Sequence, residues 1–248
     1  MRSPPGQIEA LLGARGIRKR YGSLSVVDGV DLSIGAGEAV GIVGPNGAGK
    51  TTLLNVLAGS ARPTEGTVRF RGRDITSAPA ALRARLGIGR THQVPRPFGG
   101  LTVFENALVG ASMAGGRRGR GAQEHAVEVL ELCGLLRLAN RPAESLGLLH
   151  RKRMELARAV ATGPAVLLLD EIGGGLTDEE ALELVATIHE LRRRGVAIVW
   201  IEHVVHLLVQ VVDRLICMDE GHVIADGEPR DVMANAAVVD AYLGSNVG

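Results

Sequence analysis

The nine residues Gly44-Pro45-Asn46-Gly47-Ala48-Gly49-Lys50-Thr51-Thr52 leave this chain few folds to choose from. They read as Gly, four residues of any kind, Gly, Lys, Thr. An apolar run at 39–43 precedes them and a helical pattern at 53–58 follows. Strand, glycine-rich loop and helix in that order make a phosphate-binding loop. Glycines let successive backbone N–H groups converge on one anion, and the helix N-terminus behind them adds partial positive charge. Lys50 reaches toward outer phosphates, and the Thr51 hydroxyl offers an oxygen to Mg²⁺.

A second signal is Val166-Leu167-Leu168-Leu169-Asp170-Glu171. An apolar strand that ends in two acids places carboxylates at the carboxyl edge of a parallel sheet, where ligands bind. Beside a phosphate loop, Asp170 would hold Mg²⁺ and Glu171 would act as general base on the attacking water. A third is His203, just past the apolar run 196–201, placed to sense a γ-phosphate at the same edge. Taken alone, His203 also reads as a surface histidine. His203 and His206 lack a third ligand, so they do not suggest a metal site.

Between these signals the pattern is α/β with a helical interruption. Residues 1–12 read as a loose leader. Position 17 and residues 26–34 suggest β-structure, residues 66–72 a short strand, residues 79 onward a short helix, and 86–90 a strand. From 102 to 138 the chain reads as helix interrupted by the Gly- and Arg-rich stretch 110–121, with another helix at 151–162. Strands at 165–169 and 196–201 flank a helix at 178–194. A helix at 204–211, strands at 214–218 and 222–226 and two short helices follow.

The 248 residues carry a net charge of +1 and 2% aromatic residues, which gives neither the basic field nor the stacking surfaces of a nucleic-acid binder. Cys133 and Cys217 read as buried thiols rather than a disulfide. The N-terminus lacks an apolar signal core, and no run reaches the ~18 apolar residues of a membrane span. A membrane role would therefore come through a partner. Arg117, Arg118 and Arg120 read as a solvated loop. Phe98 and Leu101 form either a docking patch or local packing.

Residues 13–248 resemble the ATP-binding subunit of ABC transporters. The phosphate loop is similar to the Walker A motif of that family, 166–171 to Walker B with its catalytic glutamate, and 174–178 to the D-loop. His203 sits where the family has its switch histidine, Gln93 where it has the Q-loop glutamine that links Mg²⁺ and water to the membrane partner, and Tyr21 where an aromatic residue stacks on adenine. Further likenesses at 89–93, 101–106, 133–136, 201–203 and 241–244 point to the LivG-type branched-chain amino acid importer ATPases. The resemblance implies a P-loop NTPase with a RecA-like α/β core, an N-terminal antiparallel β-subdomain, and a helical subdomain inserted at about 94–162. It implies ATP held by Tyr21, Val26 and residues 44–52, Mg²⁺ held by Thr51, Gln93 and Asp170, and hydrolysis by Glu171, His203, Gln93 and Lys50. The implied partners are transmembrane permease subunits, a second ATPase subunit and, indirectly, a substrate-binding protein, at the cytoplasmic face of the inner membrane. An ATPase of a lipopolysaccharide-type extraction system and a soluble non-transport ABC ATPase are the alternative readings.

The chain departs from the family at the signature, Leu-Ser-any-Gly-Gln, which here is Leu146-Gly147-Leu148-Leu149-His150. Gly147 lacks the hydroxyl donor and Leu149 adds bulk where a glycine is usual. Since this motif closes over the other subunit's nucleotide, two readings stand: the helix N-terminus and its N–H groups suffice for phosphate contact, or, the favoured expectation, the chain works in a heterodimer with one impaired site. Ile172 stands where proline is usual, with no expected effect on the chemistry.

Overall fold

A computed structural model of the chain describes residues 10–244. The segment 1–9 of the expected leader lies outside them, and the leader's expected end at 12 is one residue late, because the first strand begins at Leu12. Strand β1 (Leu12–Tyr21) pairs antiparallel with β2 (Leu24–Ile34). The chain then enters β3 (Ala39–Val43), the phosphate loop and α1 (Lys50–Ala58). Next come β4 (Glu65–Phe70), the two-residue β5 (Arg73–Asp74), α2 (Ala80–Leu86) and β6 (Ile88–Arg90). A helical layer follows, made of α3 (Val103–Val109), α4 (Gly119–Leu132) and α5 (Leu148–Ala161). The remainder alternates as β7 (Val166–Asp170), α6 (Asp178–Arg193), β8 (Ala197–Ile201), α7 (Val205–Leu208), β9 (Arg214–Asp219) and β10 (His222–Gly227), closing with α8 (Pro229–Met233) and α9 (Ala236–Gly244).

Two sheets result. One is antiparallel, in the order β2-β1-β4-β5. The other runs β10-β9-β3-β8-β7-β6, parallel except at the β10 edge. Successive side chains of its central strands divide between two cores, as period-2 alternation requires. Val40, Ile42, Val166, Leu168 and Val199 pack with α1 and the antiparallel sheet. Ala39, Val43, Leu167, Leu169, Ile198 and Trp200 pack with the helical layer and α6. Both faces are covered, which is why β3, β7 and β8 are apolar throughout.

The helical segment follows its sequence expectation at its start and departs from it further on. Residues 94–101 form a loop, and the helix starts at Val103, fixed by a capping box on Thr102. Thr102 Oγ1 accepts from the Glu105 N–H, and the Glu105 carboxylate accepts from the Thr102 N–H. The glycine-rich stretch 110–121 does interrupt the helix, at 115–118, but its first residues continue α3 as a π-helical turn over Gly110–Ala114. Gly110 lies where α5 comes close, since a Cβ there would lie 2.6 Å from the Arg158 carbonyl oxygen. Helix α5 begins at Leu148 rather than 151. Past the sheet, the expected helix at 204–211 shrinks to the single turn of α7.

A candidate nucleotide site at one sheet edge

Strand order brings the site together. Neighbouring parallel strands β3, β8, β7 and β6 all end at one edge, so the residues just past each strand form a row. Beyond β3 lies the phosphate loop, beyond β8 are Glu202 and His203, at the end of β7 are Asp170 and Glu171, and beyond β6 lie Thr91 to Gln93.

The loop shape depends on its glycines. Gly44 has φ 142°, and a Cβ there would lie 2.0 Å from the Met218 carbonyl oxygen. Gly49 caps α1 at φ 95°, and a Cβ there would lie 2.4 Å from the Val26 carbonyl oxygen. Only glycine occupies such positions without strain. Residues 46–52, Val26 and Glu171 line a cavity of about 180 Å³. Lys50 is 5% exposed. Its Nζ donates to the Gly44 and Pro45 carbonyls, each at 2.7 Å. Burial pulls its pKa down, and the negative charge of Glu171 opposes that. The Gly44 N–H donates to the Tyr242 hydroxyl of α9 at 2.9 Å, so the C-terminal helix reaches the phosphate loop.

Thr51 Oγ1 lies 3.3 Å from Asp170 Oδ1. Two hard oxygens converging at the loop are the donor set that suits Mg²⁺. Burial raises the pKa of Asp170, and Arg90 opposes the rise. Arg90 Nη2 lies 3.2 Å from Asp170 Oδ2, and Nη1 donates to Asn55 at 2.6 Å. Sequence reasoning assigned Arg90 no role. Its signal was a basic residue at the end of the strand next to β7.

Glu171 joins two of the other candidates. His203 Nε2 lies 2.7 Å from Glu171 Oε1, and Gln93 Nε2 donates to Glu171 Oε2. Gln93 thus reaches the carboxylate of Glu171, the residue that follows Asp170. Tyr21 ends β1, 52% exposed, with Lys19 Nζ 4.7 Å above its ring. Its open face is available to a planar ligand. The altered signature forms the N-terminus of α5. Gly147 is the N-cap, exposed and with φ −68°, and nothing lies within 4 Å of where its Cβ would be. A serine would fit there, so packing does not explain the glycine. Leu148 is exposed, and Leu149 and His150 are half-buried. No cluster of three or more His, Cys, Asp or Glu suited to a metal occurs among the described residues, and no helix there is long and apolar enough to cross a membrane.

Comparisons with known proteins agree with this geometry. The family described as ABC transporter matches residues 27–173. A second family, branched-chain amino acid ATP-binding cassette transporter, matches residues 222–247. The high-affinity branched-chain amino acid transport ATP-binding protein LivG of Salmonella typhimurium is 38% identical, covering 95% of this chain and 98% of its own length. BraF of Pseudomonas aeruginosa, of the same description, is 37% identical over 94% of this chain and 98% of its own. Among solved structures, the ADP conformation of an ATP-binding cassette of an ABC transporter superposes with a TM-score of 0.85 at 32% identity, covering 95% of this chain and 99% of that one. A dimeric post-hydrolysis cassette bound to ADP and Pi gives a TM-score of 0.80 at 26% identity, covering 88% and 99%. With the phosphate loop, the strand-end acids and the two-sheet core in place, this chain belongs to the ABC transporter family as an ATP-binding cassette of the P-loop NTPase fold.

Proposed function

We propose that this chain is the ATP-hydrolysing subunit of an ABC importer that takes up branched-chain amino acids or related small amides. One observation carries the enzymatic part: the Glu171 carboxylate is held by His203 and Gln93 beside the phosphate-loop cavity. The cargo rests on the functions of the relatives LivG and BraF.

Lys50, the loop N–H groups and the N-terminus of α1 would bind the phosphates of ATP. Tyr21 and Val26 would bear on the base and sugar side. Thr51 and Asp170 would hold Mg²⁺, which neutralises charge developing on the phosphates. Each Glu171 oxygen accepts one hydrogen bond from His203 or Gln93 and keeps a second lone pair, so either can take the proton of an attacking water. Gln93 lies on the segment leading to the exposed Phe98 and Val94, where a permease would bear on it. Two subunits would close head to tail, each nucleotide lying between one loop and the other subunit's signature. With Gly147 and Leu149 in its own signature, this chain would best serve in a heterodimer, lending an intact catalytic half and receiving the partner's signature. It would sit peripherally on the cytoplasmic membrane face, and a substrate-binding protein would act through the permease.

Co-expression with a permease pair and reconstitution with its binding protein tests the reading. A branched-chain amino acid should stimulate ATP turnover several-fold. Turnover that is indifferent to permease, binding protein and amino acid would refute it.

A further inference from the structure

Glu171 is one of three non-glycine residues with positive φ among the described residues, at 48°. That conformation costs roughly 1–3 kcal/mol and persists only where the surroundings hold it. Two buried charges do the holding, and neither lines the phosphate-loop cavity. Lys152 of α5 is 5% exposed and Glu202 is 1% exposed. Lys152 Nζ donates to the Glu171 carbonyl oxygen at 3.3 Å. Glu202 Oε2 accepts from the Gly173 N–H at 2.8 Å, and Oε1 accepts from the His203 N–H at 3.0 Å. The Glu171 N–H donates to Ile201 at 2.9 Å. One carboxylate therefore fastens the backbone on both sides of the Glu171–His203 contact, and one ammonium fastens the carbonyl of Glu171 itself. The fit is tight, since a Cβ on Gly173 would lie 2.9 Å from Glu202 Oε2. Burying two charges costs several kcal/mol per ion before their attraction is counted, and apolar residues would fill the same space more cheaply. Their presence calls for a role beyond packing.

We propose that Lys152 and Glu202 are positioning residues for hydrolysis, which hold the 171–173 turn so that the Glu171 carboxylate meets His203 and Gln93. The proposal rests on the reading of Glu171 as general base. Neither residue touches the reacting atoms. Because Lys152 lies on the helix capped by Gly147, the element that carries the signature also grips this chain's own catalytic turn.

Steady-state ATP hydrolysis by the assembled transporter, with thermal midpoints and nucleotide affinity of this chain measured alongside, tests it. Lys152→Met and Glu202→Gln should each lower kcat by about tenfold to a hundredfold, the penalty of small misplacement, with KM and ATP affinity within about twofold of wild type. Lys152→Arg should recover most of the rate, because it restores a cation that can donate to the Glu171 carbonyl. Lys152→Met added to Glu171→Gln should cause no further loss, since it acts through the carboxylate already removed. A kcat for Lys152→Met within about threefold of wild type, or a changed KM with kcat intact, would overturn the proposal, as would additive losses or an Arg variant no better than Met. If Lys152→Met does not fold, Glu202→Gln decides by the same criteria. Unfolding of all the variants would make the pair a stability element and overturn the proposal. A wild-type assembled transporter that hydrolyses no ATP would instead refute the function on which the proposal rests.

Discussion

Replacing Arg83 with methionine should weaken the fold at the far end of the phosphate-loop helix. Arg83 is fully buried and donates to four backbone carbonyls. Nη1 reaches Val56 at 2.7 Å and Leu57 at 2.8 Å, both in the last turn of α1, Nε reaches Ala78 at 3.0 Å and Nη2 reaches Thr76 at 3.0 Å. Hydrogen bonds from a charged donor contribute roughly 1.5–3 kcal/mol each, so the gross gain is on the order of 6–12 kcal/mol. Burial offsets part of it, because it pulls the guanidinium pKa down to about 10, a cost on the order of 3 kcal/mol. Methionine fills most of the volume but takes the guanidinium from four carbonyls, one of which, Val56, keeps the Gly59 N–H at 3.2 Å. A net loss of about 3–5 kcal/mol follows, typical of removing one partner from a buried charged cluster. For a chain of this size the midpoint should fall by roughly 6–20 °C. Urea unfolding followed by circular dichroism is the assay, with Arg83→Lys recovering less than half of the loss because an ammonium has only three donors. A loss below about 1 kcal/mol at unchanged m-value would refute the reasoning.

Three further outcomes follow from single residues. Gly44→Ala drives a Cβ into the Met218 carbonyl and imposes an unfavourable φ, so it should cost about 2–5 kcal/mol and abolish nucleotide binding, read by unfolding and by fluorescent-nucleotide titration. Gly147→Ser should change stability by only a few tenths of a kcal/mol, because glycine is itself a tolerable N-cap. In the assembled heterodimer it should nevertheless raise turnover at the partner's loop, read by phosphate release with this chain's Glu171 changed to Gln. His125 is largely buried, and its pKa is lowered by burial and by Arg117. The unfolded chain therefore binds its proton more readily, and stability should fall as pH drops through the ordinary histidine value of 6.5. His125→Gln should shrink the difference in urea midpoint between pH 7.5 and 5.5.

The parts legible in the sequence are those where chemistry fixes both residue type and spacing. The phosphate loop needs its glycines, lysine and threonine in one short run, and Asp170-Glu171 must end an apolar strand. The buried parallel strands were equally plain, since β3, β7 and β8 are apolar on both faces. What stayed hidden depends on tertiary contact. Gly110–Ala114 reads as part of a helix breaker, yet it continues as a π-turn, and at Gly110 itself α5 leaves no room for a side chain. Arg83 reads as a surface helix residue until α1 packs against it. Lys152 and Glu202 look like polar surface positions, 50 residues apart in sequence, and only the fold brings them to one turn. Tyr242 was legible as part of a C-terminal pattern, but not as the hydroxyl on the Gly44 N–H.

The central claim is that Glu171, held by His203 and Gln93, drives ATP hydrolysis at this loop. Its most direct test is phosphate release by the assembled transporter carrying the wild-type chain or Glu171→Gln, with ATP affinity of the chain measured for both. Loss of a general base should slow release by about 10²–10⁴-fold while ATP affinity stays within about threefold. Release at an undiminished rate by the Gln variant would contradict the account.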